Sequence, residues 1–349
     1  MIYKNSKKAI AVGLVSILTI AILSGCSSSQ ENKLEFTSSP PSKITIEDVD
    51  MNIPYIIKIE DKTISTDEYK YYFLNSKKNK DEGDSTYWDT RPEEIVSLKE
   101  KTVGFLKNSY SIAKLASEYG ITLTDAEKKE IDNKIINIKE EYDKSGSVMN
   151  FSQFLYSENL TLEIYRQLSY EDAVEQKLMA KLCENGGSLY ISDQDIKTKV
   201  LNEYYCMKQI FVAIDEEGKT ENFDKIKEAK TKLDSGADFQ TILDEYNRDS
   251  GMRDNQEGYY FAKGQMFENI EQAYLKLEVG QYSDIIKTEK GYHIVLRKTA
   301  NEEHVNNNIS QFAKEIQEKE FNDLINKKSE NLKVEYFESY EKFGINAFN

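Results

Sequence analysis

The spacing of apolar residues changes twice along this chain, and those two changes constrain its fold more than any single motif. From Pro92, the residues Ile95, Leu98, Thr102, Phe105, Leu106, Ser109, Ile112, Ala113 and Ala116 recur three and four apart. That period predicts a long amphipathic helix, with Pro92 suited to its first turn and Gly120 to its end. Ser65-x-x-Glu68, Thr124-x-x-Glu127 and Ser192-x-x-Asp195 have the spacing at which a side chain caps a helix start, and each precedes a periodic segment. The helical pattern continues through 151–155, 160–168 and 173–182 and breaks at Gly186-Gly187; Lys77 to Asp89 reads as a polar loop around Trp88. At Met207 the elements shorten. Met207–Val212, Gly258–Phe261, Ile285–Thr288 and Tyr292–Lys298 read as strands. Helices built on Phe223–Leu233, Phe239–Tyr246 and Ile270–Leu277 lie between them. The order β-α-α-β-α-β-β predicts a compact α+β domain. One long helix then returns from Val305 to Ile325, and Leu332, Val334 and Tyr336 alternate with charged residues as a terminal strand. A lone strand needs a partner, and the free one is Tyr55–Ile59. The expected class is therefore α+β. A domain at 203–300 is inserted into a mainly helical region made of 45–202 and 301–349, whose helix and strand pack back on the first part.

Charge and cysteine usage narrow the function. Asp+Glu is 61 against 46 Lys+Arg, a net charge of −15 with no basic block, which speaks against a nucleic-acid partner. Cys26, Cys183 and Cys206 show no Cys-x-x-Cys spacing, and His293 and His304 no paired-histidine spacing, so neither a metal nor a cofactor is expected. Pairing of Cys183 with Cys206 is open, with two free thiols the favoured state. Lys4, Lys7 and Lys8 precede the uncharged apolar run Ala9–Leu23, which is short for a spanning helix and normal for a secretory signal. It ends in Leu23-Ser24-Gly25-Cys26, which resembles the bacterial lipobox. That resemblance implies removal of 1–25 and a lipid on Cys26; the competing reading is an ordinary signal that contains a cysteine. Removal takes three lysines and no acid, leaving −18. Residues 26–44, rich in serine with Pro40-Pro41, read as a flexible tether.

Four pieces of the inserted domain occur in an informative order: Gly236-Ala237-Asp238-Phe239, Ala262-Lys263-Gly264-Gln265-Met266, Leu277-x-x-Gly280-x-x-Ser283 and Thr288-x-x-Gly291-Tyr292-His293-Ile294. In this order and on these elements they resemble a parvulin-type peptidyl-prolyl cis-trans isomerase domain. With the lipobox and the helical flanks, the whole chain resembles the PrsA-like foldase lipoproteins, whose helical parts are related to those of the chaperone SurA.

The resemblance implies a lipid-anchored isomerase on the outer face of the cell membrane, acting on unfolded or partly folded exported polypeptides. The alternative is a holdase with a degenerate parvulin domain; the oligomeric state is open, a dimer included. The expected chemistry makes and breaks no covalent bond. An X-Pro amide rotates over a barrier of roughly 18–20 kcal/mol, and a site lowers it by favouring the twisted amide over the planar one. The resemblance assigns Met266 and Ile270 to the proline pocket, with isoleucine where the family has phenylalanine. Phe261, at the end of the reduced glycine-rich stretch Gln256–Phe261, is the third substrate-binding candidate. His293 matches the second family histidine and Thr288 the hydroxyl beside it, while Gln209 stands where the first histidine belongs. The acidic or thiol position falls on Asp249, with Ser250 as competitor, and Asp249 is expected at the mouth of the site.

Overall fold

A computed structural model describes residues 55–342 apart from 82–83, 85, 145–148 and 216–218. The signal, Cys26 and the tether lie outside the described residues. By contacts the described chain divides into two units, one of residues up to 188 together with 320 onward, the other Leu189–Lys319.

The first unit opens with strands β1 (Tyr55–Ile59) and β2 (Lys62–Ser65), joined by a tight turn in which Glu60 adopts φ 51°. Helices α1 (Thr66–Asp81), α2 (Glu94–Glu118), α3 (Asp125–Lys144), α4 (Phe151–Ser157) and α5 (Leu162–Cys183) follow. The expected caps are in place. Ser65 Oγ accepts from the Glu68 N–H at 3.1 Å. The Glu127 N–H donates to Thr124 Oγ1 at 3.2 Å, and the Thr124 N–H donates back to Glu127 Oε2 at 2.7 Å. Each such cap satisfies a backbone donor that the helix leaves orphaned. Trp88 is no loop residue: it is buried in a 3-10 turn, Tyr87–Asp89, and its indole N–H donates to Asp81 Oδ2 at 2.7 Å. The core is β1, β2 and α1, where Ile56, Ile57, Ile59, Ile64, Tyr69 and Phe73 are fully buried.

The second unit holds α6 (Asp193–Glu203), β3 (Tyr205–Ala213), α7 (Glu221–Asp234), α8 (Phe239–Tyr246), α9 (Gly251–Asp254), β4 (Tyr259–Phe261), α10 (Glu268–Leu275), β5 (Ile286–Lys287), β6 (Gly291–Lys298) and α11 (Glu302–Asn307). Its sheet is antiparallel in the order β4-β3-β6-β5, with Gln209 opposite Val295 and Phe211 opposite His293. Gly291 closes the β3–β6 pair: a Cβ there would lie 2.1 Å from the Val212 carbonyl oxygen, so only glycine fits. Helices α7 and α8 pack on β3. This unit is wider than 203–300. Ile196 and Val200 of α6, Val305 of α11, and Phe312 and Ile316 beyond it form one buried cluster with Cys206 and Tyr260. The long helix expected from Val305 is broken: α11 ends at Asn307 with Asn308 as its C-cap, and α12 (Ile309–Ser329) begins after it.

The C-terminal half of α12, β7 (Val334–Tyr336) and α13 (Glu338–Lys342) belong to the first unit. β7 pairs antiparallel with β1, giving the order β2-β1-β7, with Ile57 opposite Tyr336. The architecture is α+β, mostly helical with two small antiparallel sheets.

Candidate functional site

Side chains alternate across a strand, and the register sets one face of the second sheet. Tyr259 lies opposite Met207, Phe261 opposite Tyr205, and His293 opposite Phe211. Gln209 sits two residues from both Met207 and Phe211. Phe261, Tyr259, Gln209 and His293 therefore share a face.

A continuous hydrogen-bond chain runs over that face. Thr288 Oγ1 lies 2.9 Å from His293 Nε2, and His293 Nδ1 lies 3.2 Å from Gln209 Oε1. Gln209 Nε2 donates to Asp249 Oδ2 at 2.7 Å, and the Tyr259 hydroxyl donates to the same oxygen at 2.8 Å. The directions follow from one anchor. An ionised carboxylate accepts only, so the Gln209 amide presents its nitrogen to Asp249 and its oxygen to His293. The imidazole must then carry its proton on Nδ1, leaving Nε2 to accept from Thr288. Burial lowers His293 from 6.5 to about 4 against the opposing charge of Asp249, which keeps the ring neutral as this tautomer requires.

The loop holding Asp249 is stapled to β3. Asn247 Oδ1 accepts from the Phe211 N–H at 2.9 Å and the Asp249 N–H at 3.2 Å, and its Nδ2 donates to the Asp249 carbonyl at 3.0 Å. The Arg248 N–H donates to the Phe211 carbonyl at 2.8 Å. Asp249 Oδ1 accepts from the Gly251 N–H at 3.0 Å.

The structure thus brings Gln209, Asp249, Thr288 and His293 together and leaves Ser250 exposed and outside the chain. One expectation is corrected: Asp249 is only 4% exposed, because three donors hold it inside. Met266, Ile270 and Phe261 are interior as well and belong to one apolar cluster with Met252, Tyr259 and Tyr274. The loop before Met266 is closed by Glu271, whose Oε2 accepts from the Gly264 N–H at 2.7 Å. Two members escaped the sequence. Tyr259 is visible only through strand register. Asn247 had a local signal, an Asn two residues before the acid, where its amide can bond the following backbone. Cys183 and Cys206 are free thiols, and burial pushes Cys206 up to about 11, the state of a core residue. Among the described residues no cluster of metal-ligating side chains occurs.

Residues 209–299 match the rotamase family, the PPIC-type PPIASE domain. Foldase protein PrsA of Geobacillus sp. (strain WCH70) is 28% identical over 184 residues, 52% of this chain and 57% of the relative. Foldase protein PrsA 3 of Bacillus cereus is 31% identical over 183 residues, 52% of this chain and 55% of the relative. The chain thus spans little more than half the length of these relatives. The crystal structure of PrsA from Bacillus subtilis superposes with a TM-score of 0.28 at 20% identity, covering 79% of this chain and 90% of that one. Residues 209–299 thus form a PPIC-type peptidyl-prolyl isomerase domain, and over about half its length the chain is similar to PrsA foldases.

Proposed function

We propose that this protein is an extracytoplasmic peptidyl-prolyl cis-trans isomerase that assists the folding of exported polypeptides. The observation that carries this reading is the unbroken Thr288–His293–Gln209–Asp249–Tyr259 chain, on the same sheet face as Phe261. Neither a nucleophile nor a metal is needed to rotate an amide. A rigid polar network next to an apolar surface is the environment that favours a twisted, less resonant amide over a planar one. In this reading Asp249, Gln209, His293 and Thr288 fix the polar side of the site, and Met266, Ile270 and Phe261 supply its apolar wall. Gln209 does the work of the missing histidine, since it donates at one end and accepts at the other. The test is cis-trans exchange of proline tetrapeptides by the chain from Ser27 onward. Acceleration that Met266→Ala removes supports the reading; no acceleration by the unaltered chain overturns it.

The burial of Met266 and Ile270 favours a second reading, a holdase whose parvulin domain has lost access to prolyl rings. Suppression of client aggregation without isomerisation would establish it.

The anchoring part of the proposal rests on Lys4–Lys8, the apolar run and Leu23-Ser24-Gly25-Cys26. Cys26→Ala should release the protein into the medium or leave it unprocessed. Normal processing with full membrane retention would overturn the lipid anchor.

A further inference from the structure

The first unit contains a cleft of about 390 Å³, lined by none of the residues assigned to the isomerase face. It runs between α2 and α5. Phe105, Ile112 and Ala113 line one wall, Leu168 and Val174 the other, and Tyr71 and Tyr72 of α1 close one end. The volume and the apolar walls are those of a ligand site. On the α5 side the apolar stripe is interrupted in a specific way. Glu171, Asp172 and Glu175 lie three, four and seven residues after Leu168, so all sit on the face that lines the cleft.

Three carboxylates in a half-buried cleft call for cations, and the protein supplies few. Lys62 of β2 approaches Glu171 at 3.6 Å but makes its closer pair, 2.9 Å, with Glu68. Among the described residues Asp172 has only a neutral partner, accepting from Gln176 Nε2 at 2.7 Å. The remaining charged or titratable lining groups are Lys128 of α3, which is exposed, and the hydroxyls of Tyr71, Tyr72 and Tyr170; α2 and α12 line the cleft with neutral residues. Burial, with the charges of Asp172 and Glu171, raises Glu175 to about 7. A cation entering the cleft would relieve that repulsion.

We propose that this cleft binds a lysine or arginine side chain of an extended polypeptide. The aliphatic stem and neighbouring apolar residues lie against Phe105, Ile112 and Leu168, and the cation sits among Glu171, Asp172 and Glu175. This rests on the reading that clients are unfolded polypeptides, but it concerns a site separate from the isomerase face. It gives the chain a client preference, for apolar segments that carry a positive charge, that the isomerase site does not impose.

The test is fluorescence anisotropy of the full-length protein with a short labelled peptide, free of proline, that carries one lysine between leucine and phenylalanine. Versions with norleucine or glutamate in place of the lysine are the comparisons. The lysine probe should bind about tenfold more tightly than the norleucine probe, one desolvated charge pair's worth, and the glutamate probe should not bind. Its affinity should rise about tenfold between pH 6 and pH 8, as Glu175 ionises. Glu175→Gln should abolish that pH dependence, and Ala113→Trp, which fills the cleft without touching a carboxylate, should abolish binding. Isomerisation of proline tetrapeptides, measured on the same samples, should be the same in both variants as in the unaltered protein. Equal affinity for the lysine and norleucine probes, or no binding by an isomerase-active sample, overturns the proposal. A lysine preference that persists in a sample without isomerase activity upholds it and removes the isomerase reading instead.

Discussion

Asp249 accepts three hydrogen bonds in the interior, and that decides what its removal does. Asp249→Ala takes its acceptor from Gln209 Nε2, at a cost of about 1–3 kcal/mol, and removes the bond the Tyr259 hydroxyl makes to Oδ2. Urea unfolding should therefore show a large loss of stability alongside any loss of isomerisation. His293 makes a pH prediction. The unfolded chain takes up a proton below about 6.5 that the folded chain refuses until about 4. Its folded value is depressed, so the His293 contribution is fully present above 6.5 and is lost as pH falls towards 4. The loss is on the order of 3 kcal/mol by the lower end. Thermal unfolding measured across that window should show it, and His293→Gln should flatten it. Gln209→His tests the substitution for the family histidine. An imidazole can also donate once and accept once, so isomerisation should be preserved or raised; a complete loss would show that the amide has its own role. Thr288 and His293 were legible because they sit in one short motif, Gln209 and Asp249 because they fall at positions that the parvulin resemblance assigns. Tyr259 and Asn247 were not, because their place in the network depends on where the chain returns.

At the scale of elements, the β3–β6 pair and the segment before α10 carry the site. Gly291→Ala drives a Cβ into the Val212 carbonyl at 2.1 Å, and neither backbone can yield without opening the pair. The expected cost is about 1–3 kcal/mol or more, read as a lowered urea midpoint with Thr288 and His293 displaced. Met266→Ala empties a side chain that is 2% exposed, at about 2–5 kcal/mol. Activity and stability should fall together in this variant, unlike a change confined to an open pocket. Caps and periods announced most helices correctly, since Ser65, Thr124 and Ser192 each bond the amide three residues on. The break at Asn308 was hidden. Apolar spacing continues across it, while the interruption is a local one in which Asn308 Nδ2 donates to the His304 carbonyl at 2.8 Å.

For the whole molecule, we propose that the α+β domain folds alone and that 189–319 is its stable form. Ile196, Val200, Val305, Phe312 and Ile316 cover Cys206 and Tyr260, so cutting to 203–300 exposes apolar surface worth about 25 cal/mol per Å². The longer fragment should melt cooperatively and at a higher temperature than the shorter; equal melting would count against it. A 44–200 fragment without 301–349 should aggregate, because β1 loses β7 and an unpaired strand edge invites other chains. The sequence by itself determined most of the elements, the α+β class and the return of the last strand, which rest on local sterics, periodicity and turn chemistry acting within a few residues; Gln209, Asp249, Thr288 and His293 were singled out only by resemblance to the parvulin family. Only the tertiary structure decided that α6, α11 and the start of α12 pack with the sheet, that Asp249 is enclosed, and that α2 and α5 leave an acid-lined cleft. A helical period says which face is buried but not against what, and partners hundreds of positions apart are chosen by packing.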